Sequence, residues 1–190
     1  MDIYTTEKGI ADYIKMAEGY DGRELIDELR KHLPDGATVL ELGMGPGKDL
    51  DMLKEHYEAT GSDYSRAFLD RYRSNHPDAD LLEINAVTLD TDRSFDAIYS
   101  NKVCQHLNAD ELAASVERQA ELLTAGGLAI HSFWYGDGVE KFGDMLVYNR
   151  NAEMLQKVFG EWFSIIHLAR YAEFEDNDSV LIIGRTIQSP

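Results

Sequence analysis

The chain has 190 residues, 44% of them hydrophobic, which is enough for one hydrophobic core without disulfide or metal support. Its 18 Lys and Arg residues and 35 Asp and Glu residues give a net charge of −17, which argues against a nucleic-acid partner. The single cysteine, Cys104, cannot form an intramolecular disulfide, and no segment resembles a secretory signal or a membrane span. We therefore expect one cytoplasmic domain over residues 1–190, without a membrane or metal partner.

Segments typical of helices and strands alternate along the chain. Apolar residues on one face predict helices over 21–33 and 47–56, after Ser65, from Asn108 to Gly126, and over 150–159. Short apolar runs predict strands at 37–42, 57–63, 81–84, 95–99, 128–134, 162–171 and 179–186. Asp21 with Glu24, and Asn108 with Glu111, have the spacing of capping boxes. The alternation predicts a doubly wound α/β domain whose sheet is mostly parallel, with a C-terminal antiparallel hairpin.

The first predicted strand runs into a loop with glycines at positions 43, 45 and 47, and a helix follows at once. Glycine permits positive φ angles and the close approach of a ligand, although a tight structural turn is the alternative. A dinucleotide fingerprint requires glycine where Lys48 stands, and a P-loop requires Ser or Thr where Asp49 stands. Glu41, two residues before the first glycine, suits a ligand that carries an ammonium or sulfonium group.

This loop resembles the first motif of the class I S-adenosylmethionine-dependent methyltransferases, and the resemblance continues in order from about residue 37 to 186. It implies a Rossmann-like methyltransferase fold and S-adenosylmethionine as the cofactor. It also implies where the cofactor-binding residues lie. These are Glu41, Gly43, Gly45 and Gly47 in the loop, Asp63 at the ribose, Asn85 and Ala86 at the adenine, and Ser100 and Asn101 at the methionine part. Asn85 replaces the acid usual in the family.

Two histidines are candidates for a general base, which is needed only when the acceptor keeps its proton near neutral pH. His106 follows the fourth strand, where the family often carries a histidine near the donor, and His131 lies within the fifth strand. A structural role is the alternative for each of them. For His131, the alternation of the strand is also consistent with a position underneath a helix.

Two segments are expected on the acceptor side. Residues 1–20 contain Tyr4, Tyr13 and Tyr20, and in this family such a segment often folds over the donor. The alternative is that these rings pack the first helix against the sheet. Residues 134–148 show no clear period, and we expect an irregular loop that shapes the acceptor pocket.

The sequence thus predicts methyl transfer from S-adenosylmethionine to a small-molecule acceptor by in-line displacement. A methyltransferase acting on tRNA or protein and a non-catalytic module that binds S-adenosylmethionine or another adenine nucleotide stay open as alternatives. The glycine spacing disfavours a nicotinamide oxidoreductase. Neither the acceptor atom, the pathway nor the oligomeric state follows from the sequence.

Overall fold

The computed structural model describes residues 21–143 and 145–187, together with residues 9, 14, 15 and 19. The described strands are β1 (Thr38–Leu42), β2 (Glu58–Asp63), β3 (Leu81–Glu83), β4 (Phe95–Asn101), β5 (Leu123–Trp134), β6 (Val139–Phe142), β7 (Met145–Tyr148), β8 (Phe163–Tyr171) and β9 (Ser179–Thr186). The described helices are α1 (Arg23–Leu29), α2 (Lys48–Leu53), α3 (Arg66–Asn75), α4 (Ala109–Leu122) and α5 (Ala152–Phe159), and a 3₁₀ turn covers Cys104–His106.

Seven of these strands form one sheet in the order β3-β2-β1-β4-β5-β9-β8. The pairs among β1 to β5 are parallel, whereas β9 runs antiparallel to both β5 and β8. The predicted doubly wound, mostly parallel sheet with a C-terminal hairpin is confirmed. Strand order reverses between β1 and β4, so the carboxyl ends of these two strands border the crevice where such sheets bind ligands.

Apolar residues cover both faces of the sheet because successive side chains of a strand point to opposite sides. Leu40 and Ile98 pack on the side of α4 and α5, while Val39 and Tyr99 pack on the side of α1 and α2. Parallel strands buried on both faces read as continuous apolar runs, which is why β1 and β4 were recognisable in the sequence.

The start of α1 and the end of α4 differ from the prediction. α1 begins after Gly22 and has no side-chain cap, so the capping box of Asp21 and Glu24 is wrong; the Gly22 amide donates to Asp49 instead. The capping box of Asn108 and Glu111 on α4 is confirmed. This helix ends at Leu122 rather than at the two glycines.

The segment after α4 joins β5 earlier than predicted. Leu123 pairs with Phe95 and Leu128 with Ala97, so the residues between Leu123 and Leu128 form an irregularity within β5. Gly126 has a φ of 74° in this irregularity. The glycine pair therefore interrupts the pairing of a strand and does not terminate the helix.

Residues 134–148 are not an irregular loop. β6 and β7 pair as an antiparallel hairpin outside the main sheet, and its turn includes Gly143 with a φ of 64°. Each strand has only four residues, which is too short for a clear alternation in the sequence.

Within the described part of the chain, no helix combines the length and the apolar character needed to cross a membrane.

Candidate functional site

The carboxyl ends of β1, β2 and β4 and the turn after β3 surround a pocket. Its lining consists of Leu42, Gly43, Gly45, Ser62, Asp63, Tyr64, Phe68, Ile84, Ala86, Lys102, Val103 and His106. Five residues predicted from the sequence are among them: Gly43, Gly45, Asp63, Ala86 and His106.

The glycine loop has the backbone conformation for which glycine is required. Gly43, Gly45 and Gly47 have φ angles of 65°, 49° and 88°, in the left-handed region. A Cβ atom on Gly43 would lie 2.7 Å from the Val103 side chain, and one on Gly47 would lie 2.3 Å from the Tyr72 ring. The loop therefore brings bare backbone to the pocket and then starts α2 at Gly47.

Asp63 ends β2 and is buried beside this loop. Its carboxylate accepts hydrogen bonds from the amide of Gly45 at 3.0 Å and from the amide of Ser65 at 2.8 Å. These two backbone donors hold the carboxylate at the wall of the pocket.

Glu41 is the centre of a group of acidic side chains at the end of β1. It is 4% exposed, and its Oε2 atom makes no hydrogen bond with the described residues. Burial, together with the negative charges of Asp49, Asp63 and Asp51, raises the pKa of Glu41 well above its ordinary range. A region with this excess of carboxyl groups is electrostatically suited to a cation.

Asp49 is a site residue that the sequence analysis missed. Its carboxylate is buried and accepts from the Gly22 amide at 2.8 Å, the Tyr99 hydroxyl at 2.7 Å and the Asn101 amide nitrogen at 3.2 Å. An acid in the first turn of the helix after the glycine loop was visible in the sequence, but its partners lie far away along the chain. Asp49, in the first turn after the glycine loop, thus joins the start of α1 to the carboxyl end of β4.

At the turn after β3, the two predicted residues differ in position. Ala86 lines the pocket, whereas the Asn85 side chain is exposed and its Oδ1 accepts from the Val87 amide at 2.7 Å. The oxygen expected to face an adenine amino group is therefore engaged in the turn itself.

At the end of β4, the side chains of Asn101 and Ser100 also lie in different surroundings. Asn101 donates to Asp49 and accepts from the Ser132 hydroxyl at 2.7 Å. Ser100 is fully buried, and its hydroxyl lies 2.7 Å from Nδ1 of His131, so its side chain belongs to the interior and not to the pocket lining.

The two histidine candidates occupy different environments. His106 lines the pocket, and its Nδ1 lies 2.8 Å from the carbonyl oxygen of Leu146 in β7. Burial lowers the pKa of His106 below its ordinary value of 6.5. His131 is fully buried with Nε2 at 2.7 Å from Gln119 of α4, and burial lowers its pKa to about 3. The structure brings His106 to the pocket and leaves His131 underneath a helix.

Lys102 lines the pocket, and the sequence analysis did not include it among the site residues. It has a φ of 57°, and its ammonium lies 2.9 Å from Glu173, 2.7 Å from the Ser179 hydroxyl and 3.8 Å from the centre of the Trp134 ring. Burial lowers its pKa although Glu173 opposes that shift. Lys102 thus anchors the loop after β4 to the turn between β8 and β9.

Tyr4, Tyr13 and Tyr20, and most of residues 1–20, lie outside the described residues. Among the residues that are described, no group of three or more His, Cys, Asp and Glu side chains could hold a metal ion.

The glycine loop lies at the switch point of a doubly wound sheet, and an acid follows on the neighbouring strand. This arrangement is typical of Rossmann-like proteins that bind nucleotide-containing ligands. Residues 39–127 match the methyltransferase domain family, a segment that runs from β1 into β5. This match covers somewhat less than half of the chain, and over that segment the predicted resemblance to S-adenosylmethionine-dependent methyltransferases is confirmed.

Solved structures similar to this chain include those of methyltransferases. The sugar N-methyltransferase KedS8 of Streptoalloteichus sp ATCC 53650 aligns with a TM-score of 0.78 at 17% identity, over 94% of this chain and 93% of its own. The 1,6-didemethyltoxoflavin-N1-methyltransferase of Burkholderia thailandensis aligns with a TM-score of 0.77 at 17% identity, over 94% and 87% of the two chains. At these identities the likeness concerns the fold.

One curated relative is similar in sequence. The tRNA (carboxymethyluridine(34)-5-O)-methyltransferase of Macaca fascicularis is 34% identical over 110 residues, which is 57% of this chain. The matched region spans only 16% of the length of that relative.

Proposed function

We propose that this methyltransferase transfers the methyl group of S-adenosylmethionine to a small-molecule acceptor bound between the strand ends and the β6–β7 hairpin. The observation that carries the donor side is Glu41 Oε2, a buried carboxyl oxygen without a hydrogen-bond partner in the described residues. A buried carboxylate is costly unless a cation or donor satisfies it. S-adenosylmethionine has a sulfonium, an ammonium and a carboxylate, so its net positive charge fits this acidic strand end.

The donor site that we propose includes fewer residues than the sequence predicted. Gly43, Gly45 and Gly47 allow the close approach, and the Asp63 carboxylate, which lines the pocket, would accept hydrogen bonds from the ribose hydroxyls. Ala86 faces the adenine through its backbone. Asn101, which is bound to Asp49, stays in the proposed methionine subsite.

Two other predicted residues have a smaller role than expected, or none. The amide nitrogen of Asn85 would donate to the adenine, because the hydrogen bond within the turn is accepted by its Oδ1 atom. The side chain of Ser100 is directed to His131 and is left out of the proposal.

His106 is the residue that we propose as general base, for an acceptor that must lose a proton. The cofactor supplies a methyl group on positively charged sulfur, so placing the acceptor in line accounts for much of the catalysis. The Leu146 carbonyl can only accept, and Nδ1 of His106 therefore carries the ring proton in the neutral form. Nε2 then presents a lone pair, and the lowered pKa keeps the ring neutral near pH 7.

Two segments would complete the acceptor pocket. Residues 134–148 are proposed as its acceptor-side wall because the bond between His106 and Leu146 attaches the β6–β7 hairpin to the pocket. Residues 1–20 are proposed as the cap, within a single domain of residues 1–190. The bond between Gly22 and Asp49 supports this, since it holds the residues that directly follow that segment beside the start of α2.

Charge supports a small acceptor. The chain carries a net charge of −17, which opposes the approach of a polyanion. The sugar N-methyltransferase and the 1,6-didemethyltoxoflavin-N1-methyltransferase have the same fold and small acceptors in their names. The sequence match to a tRNA methyltransferase favours a tRNA nucleoside as the second candidate.

Binding and turnover test this proposal separately. Calorimetry should show binding of S-adenosylmethionine and S-adenosylhomocysteine, and tighter binding of NAD would contradict it. Radiolabelled S-adenosylmethionine should then label a small-metabolite fraction and leave purified total tRNA unlabelled. Label in tRNA alone would favour the second candidate, and donor binding without any product would favour a non-catalytic module.

A further inference from the structure

The interior beneath α4 holds a continuous row of polar side chains in a core that is otherwise apolar. Ser100, Cys104, Ser115, Gln119 and His131 are each 0% exposed. They come from β4, the turn after it, α4 and β5. Polar groups in a protein interior are stable only when each one has a hydrogen-bond partner.

One end of this row is a backbone carbonyl, which determines the direction of the hydrogen bonds. The Ser115 hydroxyl lies 2.6 Å from the carbonyl oxygen of Ala86 and must donate to it. Ser115 Oγ then accepts from the amide nitrogen of Gln119 at 3.1 Å. The Gln119 oxygen consequently faces Nε2 of His131 at 2.7 Å, and because this oxygen only accepts, Nε2 carries the proton.

The same reasoning continues to the other end of the row. With its proton on Nε2, neutral His131 accepts at Nδ1 from the Ser100 hydroxyl, 2.7 Å away. Ser100 Oγ accepts in turn from the Cys104 thiol, whose sulfur lies at 3.5 Å. Burial lowers the pKa of His131 to about 3 and raises that of Cys104 to about 11, so both groups are neutral at pH 7. Every hydrogen bond of the row therefore runs in one direction, from Cys104 to Ala86.

Both ends of the row lie at walls of the pocket. Ala86 lines the pocket, and Cys104 directly follows Lys102 and Val103, which also line it. We propose that Ser115, Gln119 and His131 are positioning residues that hold the turn at Ala86 in a fixed place relative to the loop 102–104. They thereby set the width of the cofactor pocket. This inference rests on the donor site proposed above.

Packing alone does not require these polar groups. α4 already contacts the sheet side of the core through Leu112, Val116 and Ala120, all of them buried. Apolar side chains at 115 and 119 would fill the interior without needing partners. The hydrogen bonds of the row instead end at the Ala86 carbonyl, a backbone group of a residue that lines the pocket.

The Ser115→Ala variant tests the positioning role, because it removes the bond to Ala86. Ser74→Ala is the matched control, since the Ser74 hydroxyl also donates to a backbone carbonyl, that of Arg71 at 2.7 Å, but on an exposed part of α3. We expect Ser115→Ala to raise the Kd of S-adenosylhomocysteine and the KM of the donor by about five-fold, with kcat at saturating donor nearly unchanged. Ser74→Ala should change neither, and Ser115→Thr, which keeps a hydroxyl, should recover donor affinity.

A second measurement does not depend on the donor. In protein labelled with ¹⁵N-histidine, NMR should show His131 as the Nε2–H tautomer, without titration between about pH 5 and about pH 9. An Nδ1–H tautomer, or titration in that range, would overturn the assigned direction of the row. Wild-type affinity in Ser115→Ala would overturn the positioning role alone. Failure of the wild-type protein to bind S-adenosylhomocysteine would overturn the proposed function and this role together.

Discussion

The Asp63 carboxylate at the end of β2 accepts a 3.0 Å hydrogen bond from the Gly45 amide in the loop after β1. Both residues line the same pocket. The carboxylate also accepts from the Ser65 amide, so one acid joins the glycine loop to the start of α3. The shape of the loop and the position of the proposed ribose-binding acid are therefore coupled.

Replacing Asp63 tests this coupling. We expect Asp63→Ala to weaken S-adenosylhomocysteine binding by about 3 kcal/mol or more, since hydrogen bonds to charged groups contribute roughly 1.5–3 kcal/mol each. Asp63→Asn keeps one oxygen acceptor and should show an intermediate loss. Calorimetric titration of the three proteins measures the order, and unchanged affinity in folded Asp63→Ala would leave Asp63 with a structural role only.

The Gly45→Ala variant should lose donor binding. Gly45 has a φ of 49°, in the left-handed region that other residues rarely adopt, and it lines the pocket. Gly36→Ala is the control: its φ is 81°, and its Cβ would meet nothing within 4 Å, so it carries comparable backbone strain away from the pocket. Titration with S-adenosylhomocysteine should distinguish the two variants. An equal loss of affinity in both would show that backbone strain alone explains the effect of Gly45→Ala.

Glu41→Gln should stabilise the fold while weakening donor binding. The pKa of Glu41 is raised above its ordinary 4.5, so the folded protein binds an extra proton and wild-type stability declines as the pH rises above about 4.5. Gln removes that decline. The gain in Tm should thus be absent near pH 4 and should grow toward pH 8. Each kcal/mol added to the free energy of unfolding should raise Tm by roughly 2–4 °C.

Glu58→Gln is the matched control for this variant because Glu58 is exposed at the start of β2. Thermal unfolding at several pH values, with calorimetry at pH 7, measures both effects. A Tm gain that does not depend on pH, or donor affinity equal to wild type, would contradict the role assigned to Glu41.

His106→Gln should separate acceptor chemistry from donor binding. For an acceptor that must lose a proton, we expect kcat to fall by about a hundred-fold while the Kd of S-adenosylhomocysteine stays the same. In the wild-type protein, activity should be lost as the pH falls through a pKa below 6.5, because the neutral ring is the base. His56→Gln, whose ring lies 3.9 Å from Asp35 outside the pocket, is the control. Equal kcat in all three proteins would remove His106 from catalysis.

Hydrogen exchange should separate the two sides of the site. With S-adenosylhomocysteine bound, we expect slower exchange at residues 43–47 and 63–65 and no change over the hairpin at 139–148. The opposite pattern would mean that donor and acceptor sides are exchanged in our proposal.

Much of the fold was predictable because it depends on local patterns. The apolar runs of β1 and β4, the apolar face of α1 and the capping box of α4 each lie within a few residues, and all were found. The glycine loop was recognisable for the same reason, since its spacing alone distinguishes it from dinucleotide and phosphate loops.

Contacts between distant segments were decided by the tertiary structure. Asp49 becomes part of the site because Tyr99, 50 residues further along, donates to it, and Lys102 is anchored by Ser179, 77 residues further along. Ser100 and His131 point into the core because β4 and β5 pair in the register that sets them side by side. Sequence periodicity shows which faces of an element are buried, but only the packing of the elements determines which polar groups meet there, because a hydrogen bond needs its two atoms within about 3 Å.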